Sequence, residues 1–169
     1  MKKAIWSKIC LDERDEELSA LFYECVGDLL TSDMVNGLDN FSQHVGTSRL
    51  QHSVNVAYYS FLICRKLGLN YRSAARAGIL HDFFLYDWRE VHNSAKKHIS
   101  AHPRAALKNA RKVTALNKIE EDAIVRHMWP MTIIPPRYLE SHIVSFADKI
   151  CTCAEVIDRY KALYLAEQN

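Results

Sequence analysis

Six polar residues stand out for where they fall in the chain: His52, the pair His81-Asp82, His102, His127 and Asp148. All except His102 interrupt stretches whose apolar spacing marks them as helix facing a core, as in Ile143-Val144-Ser145-Phe146-Ala147-Asp148. A buried carboxylate or imidazolium without a partner costs several kcal/mol, so Asp148 above all requires compensation. A divalent metal would supply it. Any one of these residues is more often a satisfied core group, a helix cap or an ion-pair member. The order His…His-Asp…His…His…Asp over successive helices is a far narrower pattern than its parts.

The elements that carry these residues read as helices, because the dominant apolar period is helical and Gly (5) and Pro (4) are scarce. Leu18, Leu21, Phe22, Cys25, Val26, Leu29 and Leu30 predict a first helix ending near Ser32, with Asp15, Glu16 and Glu17 in its first turn. A second runs from about Ser48 to Leu67 and stops at Gly68. It has apolar residues on two faces and His52 on one of them, which predicts a central, enclosed helix. A third, from about Tyr71, leads through Ala74, Ala75, Ala77 and Gly78 to His81-Asp82, its small residues permitting close packing. The stretch 83–101 reads as loop or short helix over the site. Pro103 predicts a helix start with His102 at its mouth, running to about Lys112. Asn117 with Glu120 caps the next helix, which reaches His127 and Met128. Trp129-Pro130 and Pro135-Pro136 impose a loop. The last helix, about Arg137 to Tyr160, is read with Leu139, Ile143, Phe146, Ala147, Ile150, Ala154 and Ile157 on one apolar face. The fold class is all-α.

Composition narrows the functions this chain can serve. At 169 residues it fits one domain with a real core. A net charge of +2, from 22 Lys and Arg against 20 Asp and Glu, gives no general field for nucleic acid or an anionic membrane, and no nucleic-acid reader motif is present. An anionic ligand must be held locally. No stretch reaches the ~20 apolar residues of a membrane span, and Met1 to Lys8 lack a following signal-type apolar run. The five cysteines show no disulfide framework, and Cys151 and Cys153 would point about 200° apart on a helix, a poor chelate. A reduced, cytoplasmic location is the expectation, with no nucleic acid and no membrane as partner, and a homodimer left open.

In its motifs the chain resembles the HD superfamily of metal-dependent phosphohydrolases. Arg49-Leu50-Gln51-His52-Ser53 resembles the family's first-histidine helix, Gly78-Ile79-Leu80-His81-Asp82 its name-giving doublet, and Ser145-Phe146-Ala147-Asp148-Lys149 its terminal aspartate helix. Ala101-His102-Pro103-Arg104 and Val125-Arg126-His127-Met128 resemble the extra histidine motifs of the binuclear members, such as the bacterial HD proteins that hydrolyse diadenosine tetraphosphate. The resemblance implies one helical HD domain over 1–169, with a helical N-terminal extension over 1–45 and the core over 46–160. It implies two divalent transition-metal ions (Fe, Mn, Zn, Co or Ni), one held by His52, His81 and Asp148, the other by His102 and His127, with Asp82 bridging both. The implied activity is cleavage of a phosphomonoester or phosphoanhydride, in a nucleotide, by metal-activated hydroxide.

Other residues are candidates around that centre. Where the family often has a lysine three residues after the doublet's aspartate, this chain has Leu85. Arg49, Lys96, Lys97, His98, Arg104 and Lys149 are the basic candidates for phosphate, a solvated charge being the competing reading for Lys96 and Lys97. Asp87 is a candidate to orient a ligand histidine or to move a proton, with a surface role as the alternative. Trp129 could stack on a base or pack against the core. Catalytic roles are thus assigned to Asp82, Asp87, Arg49 and His98, and substrate contact to Arg104, Lys149 and Trp129. The competing functions are di-iron oxygen chemistry on the same ligand set and a regulatory module that binds metal and nucleotide without turnover.

Overall fold

The computed structural model describes residues 16–44, 46–91 and 95–166. Helix α1 (Glu16–Leu30) is followed by the short α2 (Asp33–Asn36), a 3₁₀ turn (Gly37–Asn40) and a hairpin of β1 (Ser42–His44) with β2 (Thr47–Ser48), paired Ser42 to Ser48 and His44 to Thr47. Then come α3 (Arg49–Lys66), α4 (Tyr71–Leu80), the short α5 (Trp88–Val91), α6 (Ala95–Val113), α7 (Lys118–Arg126) and α8 (Leu139–Ala166). The described part is all-α apart from that hairpin, which the reading of 1–45 as helical did not anticipate. No helix among the described residues is long and apolar enough to cross a membrane. Residues 1–15, with the first turn's Asp15, and His92 lie outside the described residues, as does the side chain of Lys96.

Local chemistry sets the helix bounds. Ser48 caps α3 by accepting from the Gln51 amide, and Asn70 caps α4 through Ser73. Asn117 and Glu120 form a reciprocal capping box at α7. Gly68 takes a positive φ of 69° between α3 and α4, a conformation open to glycine without steric cost.

Packing then brings α3 and α4 together at the centre. A Cβ on Gly78 would collide with the backbone of Ala57, so glycine is what lets α4 lie directly on α3. One apolar cluster, including Phe22, Phe61, Ile79 and Ile124, fills the space between α1, α3, α4 and the α6–α7 pair. A second, with Val56, Ala77, Val144 and Cys151, joins α3 and α4 to α8. Fully burying each of the larger side chains is worth roughly 1.5–3 kcal/mol. Arg76 pins the far end: it pairs with Asp28 on α1 at 2.6 Å and Glu120 on α7 at 3.4 Å.

Two expectations are corrected. Pro103 does not start a helix: α6 begins at Ala95, and Pro103 lies inside it. His102 is therefore a mid-helix residue, and its ring Nδ1 donates to the His98 carbonyl at 2.9 Å, one turn back along the same helix. The residues assigned to one face of α8 also divide: Ala147 and Ala154 are buried, whereas Leu139, Phe146, Ile150 and Ile157 are exposed.

Candidate metal centre

The six residues converge on one point from five helices. His52 comes from the first turn of α3 and His81 from the residue capping the C-terminus of α4, with Asp82 beside it. His102 comes from the middle of α6, His127 from the C-cap of α7, and Asp148 from α8. They form two trios, His52, His81, Asp148 and Asp82, His102, His127, all buried, with ligand atoms in each trio within 4.8 Å of one another.

The imidazoles are oriented from behind. His81 Nδ1 lies 2.8 Å from the Gly78 carbonyl, His102 Nδ1 2.9 Å from that of His98 and His127 Nδ1 2.8 Å from that of Ile124. A carbonyl oxygen can only accept, so each of these Nδ1 atoms carries its hydrogen, which leaves Nε2 as the atom that can present a lone pair to a metal. His52 follows the same plan with a carboxylate: Nδ1 is 3.0 Å from Glu155 Oε1, itself held by Asn55 Nδ2 at 2.8 Å. The Nε2 atoms of all four rings then turn toward Asp82 and Asp148.

Several atoms in this arrangement lack what a metal-free protein would give them. His102 Nε2 and His127 Nε2 face each other at 2.9 Å, and both lie close to Asp82 Oδ1, at 3.2 and 3.4 Å. His81 Nε2 and Asp82 Oδ1 are buried without a hydrogen-bond partner. Lone pairs aimed at one another and orphaned buried atoms are costly, and a cation between them removes the cost. Imidazole and carboxylate donors suit a divalent transition metal, and the residues present fit one in each trio.

The electrostatics follow from the contacts. Burial opposes charge on His52, but the hydrogen bonds with Asp148 and Glu155 outweigh it and push the pKa to about 10. Burial raises Asp82 and Asp148, yet the surrounding histidines hold both carboxyls well below the usual range. Burial dominates at His127 and lowers its pKa.

A cleft of about 470 Å³ opens beside the trios, lined in part by Asp82, His98, His102, Asp148 and Lys149. The outer candidates distribute unevenly around it. His98 lines the cleft and stacks on His102 with ring centroids 4.4 Å apart. Lys149 lines it too, with its ammonium on the His127 carbonyl at 2.8 Å and near Asp148, which ties α8 to the end of α7. Arg49 does not line it. Its guanidinium is buried 3.6 Å from the Phe84 ring centroid and donates to the Phe84 carbonyl and to Gln43 Oε1 at 2.9 Å. Asp87 is not behind a ligand histidine: its carboxylate accepts the Arg89 amide at 2.9 Å, and the orienting groups are Glu155 and three backbone carbonyls. Arg104 lies in a neighbouring groove of about 600 Å³, and Trp129 stands edge-on to His142 with centroids 5.5 Å apart, outside the cleft lining. Leu85, in the position where the family often has lysine, is partly exposed.

Three site residues were missed from sequence. Glu155 lies seven residues after Asp148, two helical turns along the same face, a spacing that could have singled it out. Arg89 lines the cleft, as Gln43 does. Gln43, from β1, bridges Arg49 and Asp82: its carbonyl accepts from Arg49, so its amide nitrogen must be the group that donates to Asp82 Oδ2. Nothing in its sequence context marks it.

Comparison with known proteins places this geometry. The chain matches the family model described as HD domain over residues 49–153, a span that holds all six residues of the trios. Ribonuclease Y of Symbiobacterium thermophilum is 30% identical over 112 residues, covering 65% of this chain and 19% of that protein. The chain therefore spans a small part of the length of this curated relative. No solved structure matches.

Proposed function

The chain belongs to the HD-domain family of metal-dependent phosphohydrolases, and from that premise we propose that it hydrolyses a phosphomonoester or phosphoanhydride bond of a nucleotide at a two-metal centre. The observation that carries the reading is the common orientation of four histidines, each with Nδ1 on an acceptor and Nε2 turned to a shared pair of aspartates. In this reading His52, His81 and Asp148 would hold one ion and His102 and His127 the other, with Asp82 shared between them. Such ions, when bound, supply Lewis acidity that lowers the pKa of a water and offsets charge on phosphoryl oxygens.

The protein's own residues then have distinct tasks. Gln43 fixes Asp82 by donating to Oδ2 while Arg49 fixes Gln43. Glu155 holds the His52 ring in place. The cleft wall carries Arg89, His98 and Lys149, basic residues beside which an anionic substrate would lie, where the family often has the lysine whose position Leu85 occupies here. The apolar side of the cleft, with Met128, Met131 and Val156, suits the non-phosphate part of a nucleotide.

The test is a panel of nucleoside mono- and polyphosphates, with an RNA oligonucleotide as the substrate class of the relative, incubated with purified protein and Mn²⁺ or Fe²⁺. Release of phosphate or a nucleoside phosphate that disappears in Asp82→Ala is the expected result. Turnover that survives Asp82→Ala contradicts the mechanism.

A further inference from the structure

Helix α8 has two apolar faces, and the functional site uses one. Val144, Ala147, Cys151 and Ala154 face inward and are buried, on the side that also delivers Asp148 and Glu155. On the outward side a second series runs the length of the helix with spacing four, three, four, three. Ile143, Ile150, Ile157 and Tyr164 recur every seven residues. Leu139, Phe146, Cys153 and Tyr160 form the interleaved set, also every seven. Apart from half-buried Ile143, all of these side chains are exposed; six of them, from Leu139 to Tyr164, keep 41–69% of their surface in contact with solvent.

A strict 3.5-residue apolar repeat is the signature of a helix that winds around another helix, with β-branched residues in one set of positions favouring a two-stranded pair. Here one set is Ile, Ile, Ile, Tyr. The repeat covers Leu139 to Tyr164, about 37 Å of helix at 1.5 Å per residue. Over its last part, from Arg159 to Leu165, every side chain is exposed, so the described residues bury none of these turns. Helical turns in proteins draw most of their stability from tertiary packing rather than propensity.

We propose that this face is the interface of a homodimer in which α8 pairs with α8 of a second copy. The partner is identified by match: a heptad seam is filled by another seam of the same repeat and length, and a two-fold axis supplies one automatically. The area is adequate. With ~150–250 Å² for a whole aromatic side chain, the exposed parts of the seam amount to several hundred Å², approaching the ~800 Å² per partner of a standard stable interface. The flanks do not form a like-charged row: of the positions beside the seam, Ala147, Ala154, Val156 and Leu163 are uncharged, and Lys149 and Lys161 lie more than three helical turns apart. Cys153 belongs to the seam and also lines the metal-side cleft, so the second copy runs along the rim of the candidate active site.

The inference does not depend on the phosphohydrolase reading and is tested without turnover. Sedimentation equilibrium or light scattering of the full chain at tens of micromolar should give twice the 19.5 kDa chain mass. The double substitution Ile157→Glu with Tyr164→Glu should return a single-chain mass, with a far-UV helical signal reduced by no more than the last turns of α8, and a rise in dissociation constant of at least ~100-fold. Should that variant lose its fold, Tyr160→Lys alone, at an exposed position, should still weaken the dimer. A wild-type protein of single-chain mass at that concentration overturns the proposal, as it would if residues 1–15 or another protein covered the face. A folded double variant that stays dimeric, or a Tyr160→Lys dimer as tight as wild type, overturns it equally.

Discussion

The two trios of the candidate centre contain the same kinds of donor but are backed by different groups. Behind His52 stands a carboxylate, Glu155, itself fixed by Asn55; behind His102 and His127 stand the carbonyls of their own helices. A carboxylate stabilises positive charge on the ring it touches, and a neutral carbonyl does so far less. The first trio thus surrounds its imidazoles with two carboxylates, Asp148 and Glu155, and His52 holds a proton up to about pH 10. In the second trio Asp82 faces two imidazoles, and burial keeps His127 below its ordinary pKa. The difference implies unequal sites: one more anionic, where a metal competes with a proton, and one less anionic, where the competition is weaker.

Asp82→Ala should have the largest effect because it removes the residue shared by both sides. Hydrolysis should fall by at least ~10³-fold, read as phosphate release, in line with losing transition-state charge stabilisation. Glu155→Gln should separate the trios. Metal affinity at the first should drop by ~10–100-fold while the second is little changed, measured by competition with a chromophoric chelator; equal losses at both would erase the distinction.

The pH dependence carries opposite signs for folding and for metal. The His52 pKa is raised from 6.5 to about 10, so in the metal-free protein its contribution to stability is fully present below pH 6.5 and is lost as pH rises through 10. Metal affinity at the first trio should instead climb over that window, by up to about tenfold per pH unit, as the competing proton leaves. At the acid end, the depressed pKa values of Asp82 and Asp148 give stability that is present above 3.8 and lost as pH falls below it. Thermal melts of the metal-free protein and chelator titrations across pH read the two trends, and Glu155→Gln should flatten the second. The smallest change is expected of Gln43→Glu, which keeps the acceptor for Arg49 but turns the donor facing Asp82 into a carboxylate. A loss of metal affinity of up to ~10-fold, with an unchanged melting temperature, would mark a positioning role; Gln43→Ala with no such loss would remove it.

The helical architecture was legible because the apolar period marks α1, α3, α4 and α7, and at α7 the Asn117–Glu120 capping box agrees with it. Five of the six central residues were legible as polar groups in apolar helix, and His102 through the motif Ala101-His102-Pro103-Arg104. What escaped the reading has physical causes. Pro103 usually ends or starts a helix, and here α6 continues through it with the His102 ring on the His98 carbonyl. The hairpin that delivers Gln43 is too short to leave an alternating pattern. Arg49 looked like a phosphate ligand by type, yet its burial among Phe84, Phe41 and Gln43 makes it a support. A single apolar face was assigned to α8 because a 3.6-residue core stripe and a 3.5-residue outer seam overlap when written along one line.

The most direct test of the central claim is metal stoichiometry. Protein purified anaerobically and reconstituted with Mn²⁺ or Fe²⁺ should hold two ions per chain by elemental analysis, and the His102→Ala, His127→Ala double variant should hold one, at the first trio. A wild-type stoichiometry of one that survives loss of both histidines would contradict a centre built from two trios joined at Asp82.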